Sequence, residues 1–558
     1  MGLILKNGIV FDPKNGIRGE KMDLFIKDGK MVAEKDLGKK AETIDLAGKV
    51  VFPGGVDIHA HIAGSKVNSG RLFRPEDSRM RTVPRTNVTR AGSGFSVPTT
   101  FLTGYTYSEM GYTTVIEPAV PPLKARHTHE EFHDIPMLDK TGLLLLGNNH
   151  QVIEYLKAGD IDRCKEWVAW MLLATKCYGI KCVNPGGTAS WAWGKNVDGL
   201  DDPCTHFEVT PREIIRGLVD INESLGLPHA VHLHCNNLGT PGNYTTALET
   251  IDSVKGLTNK ERSVLHITHL QFNGYGGDSW RTFESRGVEL AEKIDKTPNI
   301  TVDTGNVCFE PTTTMTADGP FEFHLHQLGK QKWINFDVEL EAGTGVVPYE
   351  YRKDVSVNAI QWAVGLEMVL ALKDLAKIHL STDHPNGGPF TCYAEMIAWL
   401  MSKKARAETI ATLHDAVKSK AAISDMDREL DLFDICLITR GTAQTLGLAN
   451  KGHLGIGADA DVAVYDIGVE EKDGATIERA FRHCAYTIKG GQLAVKDGKV
   501  VNAVTGRTLW IDTKPRTDVI EKDLRKRFEG YYSVSLDNYP VQMDYLGESE
   551  MVMERCKK

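Results

Sequence analysis

Residues 50–64 open as an apolar run, Val50-Val51-Phe52, break at Pro53-Gly54-Gly55, and resume as Val56-Asp57-Ile58-His59-Ala60-His61. Polar and apolar positions alternate after the break, so Asp57, His59 and His61 fall on one face of a predicted strand. Seven further strand-like runs follow, at 111–119, 142–149, 179–187, 230–235, 263–272, 299–307 and 377–385. Between several of them, apolar residues recur at three- and four-residue spacing, as in 161–174 and Pro211–Leu225, which predicts amphipathic helices. Eight strand-then-helix units predict an α/β fold built as a (β/α)8 TIM barrel. Enzymes of that architecture carry their chemistry at the C-terminal ends of the strands.

Shorter strands joined by tight turns occupy both termini. Lys27-Asp28-Gly29-Lys30 has the Asp-Gly pair of a two-residue hairpin, and Lys496-Asp497-Gly498-Lys499 is a near copy of it. The economical arrangement is a small split β domain formed by 1–52 and 436–512, with the barrel, 53–435, inserted between its halves. Two long stretches interrupt the barrel pattern, 64–110 and 304–353, and loops of that length serve as lids, binding loops or partner surfaces. The first holds seven basic residues (Lys66, Arg71, Arg74, Arg79, Arg81, Arg85, Arg90) against Glu76, Asp77 and Glu109, predicting a positive field for an anionic substrate or an acidic partner. Residues 513–558 form a charged, tyrosine-bearing tail, expected to act as a docking arm.

Composition narrows the class. The 558 residues carry a net charge of −9, which makes no case for nucleic-acid binding, and no apolar run is long enough for a membrane span. The first residues lack a signal-peptide pattern, so a cytoplasmic location is expected. Ten cysteines are scattered without a C-x-x-C pair, so neither a disulfide framework nor an iron–sulfur cofactor is expected in this chain.

The metal-competent side chains fall at strand ends. His59 and His61 end the first strand, Lys181 sits in the fourth, His232 and His234 end the fifth, His266 and His269 occupy the sixth, and Asp383 ends the eighth. An H-x-H pair alone is more often a polar strand face with two satisfied histidines; ligand types recurring on strands one, five, six and eight are much harder to explain as filler. Two imidazoles two residues apart can grip one ion from a single rigid element.

Three stretches resemble the amidohydrolase superfamily: Pro53-Gly54-Gly55-Val56-Asp57-Ile58-His59-Ala60-His61, Ser381-Thr382-Asp383-His384-Pro385, and the return from Gly441-Thr442-Ala443 through Gly457-Ala458-Asp459-Ala460-Asp461. The resemblance implies a metal-dependent barrel flanked by a split β domain. Its metal ligands would be His59, His61, Lys181, His234, His269 and Asp383, with Asp383 also catalytic and His232 and His266 left structural. A protonated lysine cannot ligate a cation, and in the two-metal branch of the superfamily the strand-four lysine is carboxylated and bridges the ions, so two zinc ions and an N6-carboxylated Lys181 are expected.

Within the superfamily, Gly179-Ile180-Lys181-Cys182-Val183-Asn184-Pro185-Gly186-Gly187, His234-Cys235-Asn236-Asn237-Leu238-Gly239 and Gly70-Arg71-Leu72-Phe73-Arg74-Pro75-Glu76-Asp77-Ser78 are similar to the family of formylmethanofuran dehydrogenase A subunits. That likeness implies condensation of formate with the amine of methanofuran, and the reverse hydrolysis. Carbon dioxide would be reduced to formate on a partner, a tungsten- or molybdenum-pterin formate dehydrogenase-like subunit, served by iron–sulfur subunits. Alternative readings are the A subunit of a bacterial formyltransferase/hydrolase complex, a stand-alone cyclic amidase, and a non-catalytic scaffold subunit.

Overall fold

The computed structural model describes residues 2–38, 40–336 and 343–553. Residues 337–342 of the second insertion and 554–558 of the tail lie outside the described residues. The eight expected strands are all present and all parallel. They are numbered here β1 Gly55–Asp57, β2 Tyr112–Val120, β3 Asp139–Leu145, β4 Gly179–Val183, β5 Val231–His234, β6 Leu265–Ile267, β7 Ile300–Asp303 and β8 Ile378–His379. Each pairs with its successor. The ring closes beyond β8, where Ala60 bridges His384, the His61 amide donates to the His384 carbonyl at 2.7 Å, and the Ser381 hydroxyl donates to the His59 carbonyl at 3.1 Å. The chain is thus a (β/α)8 barrel with an added β sheet.

That second sheet joins both termini. Val50–Pro53 pairs antiparallel with Val462–Tyr465, and Leu5, Val10, Ile26, Val51, Val462 and Val464 form its own buried core. Both hairpins turn as their Asp-Gly pairs demand, with φ of 48° and 79° at Asp28 and Gly29 and 50° and 67° at Asp497 and Gly498. The apolar run at 50–62 therefore serves two sheets. It changes from one to the other at Gly54 and Gly55, where a β-carbon would lie 2.3 Å from the Thr113 hydroxyl and 2.7 Å from the Tyr112 ring respectively.

Helices clothe the barrel. Pro211–Leu225 begins with a capping box between Thr210 and Glu213 and a proline in its first turn, and it buries Ile214, Ile215, Leu218, Val219 and Ile221. The helix predicted over 161–174 is Ile161–Thr175.

Three expectations change. The sheet of the β domain ends at Val500; Thr508–Ile511 instead pairs beside β3, and Ser549–Met553 pairs beside Thr508–Ile511, so the boundary at 512 does not separate two layers. The tail docks on its own barrel, burying Phe528 and Tyr539 against Trp167, because its apolar residues match the outer face of Ile161–Thr175. The described residues of both insertions carry helices and strands of their own. Ser65–Phe73 packs on a three-stranded sheet of Pro311–Thr316, Thr344–Glu350 and Ile334–Phe336 through Val67, Met315 and Val346, and Val97 of the first insertion joins the same cluster. Much of the first insertion's positive charge is spent on this packing: Lys66 pairs with Glu117, Arg71 with Glu131, and Arg74 donates to the Thr312 carbonyl. Only Arg79, Arg85 and Arg90 of the seven basic residues are exposed.

Candidate metal centre

His59 and His61 follow β1 at the C-terminal end of the barrel, held there by Asp57. That carboxylate accepts from the His59 amide at 3.0 Å and from the hydroxyls of Tyr107 and Tyr393 at 2.7 and 2.6 Å. Burial pushes Asp57 up to about 6, against the pull of those three donors. His59 Nε2 lies 2.9 Å from Asp383 Oδ1, His61 Nε2 3.5 Å from the same oxygen, and His269 Nε2 4.0 Å from Asp383 Oδ2. The His234 ring centroid is 4.7 Å from that of His269. Lys181 is fully enclosed, donating to the Thr268 hydroxyl at 3.3 Å. Burial brings its ammonium down to about 8, although Asp383 and Asp303 pull the other way. The six residues singled out from the sequence thus converge on one end of the barrel.

Two of them sit on strained backbone. Asp383 has a φ of 52° and His269 of 36°, the left-handed region that non-glycine residues seldom occupy. Strain of this kind collects where surrounding structure forces a functional side chain into place. Here the His269 amide donates to Asp303 Oδ1 at 2.7 Å and the Asp383 amide to the Ser381 hydroxyl at 2.8 Å.

The donor set suits a metal ion. Burial, helped by Lys181, holds His59 well below the usual imidazole range, and burial with the neighbouring His234 does the same for His269. Neutral imidazoles are the form that ligates. His269 Nδ1 and Asp383 Oδ1 are buried without a hydrogen-bond partner, although His59 Nε2 is close to the latter. Among the described residues, three groups bring ligand atoms within 4.8 Å of one another: His59, His269 and Asp383; His59, His232 and Asp303; and Asp139, Asp459 and Asp461. Only the first has the free donors a metal needs. In the second, His59 Nδ1 and His232 Nε2 are hydrogen-bonded directly at 3.0 Å. In the third, Lys451 lies 2.5 to 3.0 Å from all three carboxylates and Lys489 lies 2.8 and 3.0 Å from Asp139 and Asp461, so ammonium groups already occupy the cation's place.

The far nitrogens of His61 and His234 are also engaged by carboxylates, a common arrangement behind metal-binding histidines. His61 Nδ1 meets Glu117 Oε1 at 3.0 Å, and His234 Nε2 meets Asp318 Oδ2 at 3.0 Å. Against the cost of burial, Lys66 and His61 pull Glu117 down to about 2. Asp318 accepts further from Asn184 Nδ2 at 2.9 Å and from the Phe321 amide at 3.2 Å. Sequence reasoning missed Glu117, Asp318 and Asp303. A lone acid at the end of an apolar strand (Val-Ile-Glu117, Thr-Val-Asp303) was a usable signal for two of them. Asp318 lies in an insertion, 84 residues from His234, and nothing local marks it. A cavity of about 310 Å³ reaches Asp318 between Trp191, Phe321, Phe323 and His324.

A barrel of this closure, with histidines at the ends of β1, β5 and β6 and an aspartate beyond β8, defines a class of metal-dependent hydrolases, and a model of the amidohydrolase family matches residues 42–495. The chain belongs to that family, whose members typically bind metals. More narrowly, it is 53% identical to protein FwdA of Methanocaldococcus jannaschii, over 98% of this chain and 97% of that protein. It is 35% identical to the A subunit of the formyltransferase/hydrolase complex Fhc of Methylorubrum extorquens, over 96% of each. In the crystal structure of that complex, FhcABCD with methylofuran, a 34% identical chain superposes with a TM-score of 0.92 over 100% of both chains. Within the family the chain therefore stands with these two proteins. Among its described residues, no helix is long and apolar enough to cross a membrane.

Proposed function

We propose that this chain is the A subunit of a formylmethanofuran dehydrogenase complex, joining formate to the primary amine of methanofuran as an N-formyl amide and water, and hydrolysing that amide in reverse. Formate would come from carbon dioxide reduced on a tungsten- or molybdenum-pterin subunit served by iron–sulfur subunits. The observation that carries this reading is the convergence of His59, His61, His269, Asp383 and buried Lys181 in a chain that matches protein FwdA from end to end. Identity to FwdA exceeds that to the Fhc protein, which favours the dehydrogenase over the bacterial hydrolase. A dihydroorotase and a D-hydantoinase match only 11% and 12% of this chain, which disfavours a stand-alone cyclic amidase.

His59, His61, His234, His269, Asp383 and, once carboxylated, Lys181 would hold two zinc ions; imidazole and carboxylate ligands suit zinc. The lowered basicity of buried Lys181 leaves a fraction of neutral amine near neutral pH, and that is the form that adds to carbon dioxide. Metal ions in such a site supply Lewis-acid polarisation of the carbonyl oxygen and offset charge that builds on it. Asp383 takes a proton from the attacking amine and passes it to the departing oxygen; in hydrolysis it takes the proton from water and gives it to the leaving amine. The aromatic walls of the cavity beside Asp318 suit a furan ring.

The test is a substrate comparison with the zinc-loaded protein. Cleavage of formylmethanofuran, or of N-formylfurfurylamine, with no turnover of dihydrouracil or hydantoin is expected. Cyclic amides cleaved in preference to the formyl amide would overturn the assignment.

A further inference from the structure

Behind His59 a line of buried imidazoles runs away from the candidate metal centre into the barrel. His59 Nδ1 and His232 Nε2 are 3.0 Å apart, and His232 Nδ1 and His229 Nε2 are 3.0 Å apart. The line ends at a backbone group: His229 Nδ1 lies 3.0 Å from the carbonyl oxygen of Thr445, in the short helix Thr442–Thr445. All three rings are buried, and His232 also stacks on His266 with centroids 4.6 Å apart.

A carbonyl oxygen can only accept, so the hydrogen must sit on His229 Nδ1. Its Nε2 then carries the lone pair, and His232 Nδ1 has to donate to it. His232 Nε2 is left as an acceptor, and His59 Nδ1 must donate in turn. His59 therefore keeps its free lone pair on Nε2, the nitrogen 2.9 Å from Asp383. Asp303 Oδ2, 3.5 Å from His59 Nδ1, favours a hydrogen on the same atom. The opposite polarity would face the Thr445 carbonyl with a second lone pair and leave two buried acceptors unpaired. A charged ring would be a buried cation, and neither ring nitrogen of His229 or His232 has a carboxylate as its partner.

We propose that His229 and His232 are positioning residues whose one-way hydrogen-bond chain, set at the Thr445 carbonyl, locks His59 in the tautomer that presents Nε2 to the metal site. This goes beyond ligand assignment and rests on the reading of His59 as a ligand. The lock removes the need for His59 to change tautomer when metal binds, so metal affinity carries the benefit.

The direct test is nitrogen-15 NMR of the full-length, metal-free chain labelled at histidine. Hydrogen on Nδ1 of His59, His232 and His229 is expected, and hydrogen on Nε2 of His232 would overturn the proposal. The second test titrates zinc against a competing chelator. His229→Leu, which cannot accept from His232, should bind zinc about 10–100-fold more weakly, the usual cost of losing a partner behind a ligand. His229→Gln, whose amide can donate to Thr445 and accept from His232, should recover most of that loss. Wild-type affinity in folded His229→Leu, or an equal loss in His229→Gln, would overturn the lock. If the leucine variant fails to fold, the wild-type spectrum still decides. A wild-type chain that takes up no zinc overturns the ligand reading, whereas a reversed tautomer in a zinc-binding chain overturns the lock alone.

Discussion

Lys181 is the residue whose chemistry the rest of the centre makes unusual. An ammonium in water gains nothing by losing its proton near neutrality, but burial in β4 brings it down to about 8, against the pull of Asp383 and Asp303. As the carboxylated bridge it would supply the shared anion, so Lys181→Ala should lose zinc from one or both positions, read as metal per chain. Full zinc content and activity in that variant would sink the carbamate. Asp383→Asn differs in kind: it keeps the shape and removes the proposed base, so turnover should fall by about 10²–10⁴-fold with the melting temperature little changed. An active Asp383→Asn protein would mean that another residue moves the proton. Both residues were visible in sequence because each lies inside a run whose order of residue types is distinctive. The left-handed backbone at His269 and Asp383 was not visible, since it is imposed by Asp303 and Ser381 from other positions.

At the scale of elements, the insertion at 304–353 completes the centre rather than merely covering it. Its helix Gly319–Gly329 begins just after Asp318, whose carboxylate serves both the Phe321 amide and His234. Asp318→Ala should weaken zinc binding by about 10–100-fold in a chelator competition, and Asp318→Asn, which can still accept from His234, by less. Equal affinities in all three proteins would show that the contact does not orient the ligand.

The sequence marked this insertion by length alone. Its contact with His234 depends on tertiary packing, which hydrophobic periodicity does not encode. The basic character of 64–110 was misleading for a related reason: charges counted along a chain do not reveal that Lys66, Arg71 and Arg74 will be spent on Glu117, Glu131 and the Thr312 carbonyl.

Taken as one molecule, the chain joins its two sheets through a buried ion cluster. Asp139 begins β3, Asp459 and Asp461 lead into the β sheet of the termini, and Lys451, Lys489 and Arg507 lie among them. Despite burial, Lys451, Lys489 and Arg507 hold the Asp139 carboxyl well below the usual range, and Lys451 with Arg507 does the same for Asp459. Depressed carboxyls stabilise the fold fully above their unfolded values of about 4, and that stability is lost as pH falls through the lower folded values. Wild-type stability should therefore drop steeply below about pH 4. Lys451→Met should cost about 3–5 kcal/mol near neutrality by leaving buried carboxylates short of a partner, and should flatten that acid limb. A denaturant titration at several pH values checks both; unchanged stability would contradict the cluster's structural role.

The sequence disclosed the barrel because period-two runs and period-three-to-four runs alternate through it, and the β layer because two Asp-Gly turns repeat near the ends. It hid the docking of the tail, since Phe528 and Tyr539 find their partner only on the outer face of Ile161–Thr175. The central claim is a two-metal centre bridged at Lys181, and the most direct measurement is metal per chain in the native complex, by elemental analysis. Two zinc ions per chain, falling to one or none in Lys181→Ala, is the predicted result. A folded wild-type chain that is metal-free and takes up no zinc when supplied with bicarbonate would contradict it.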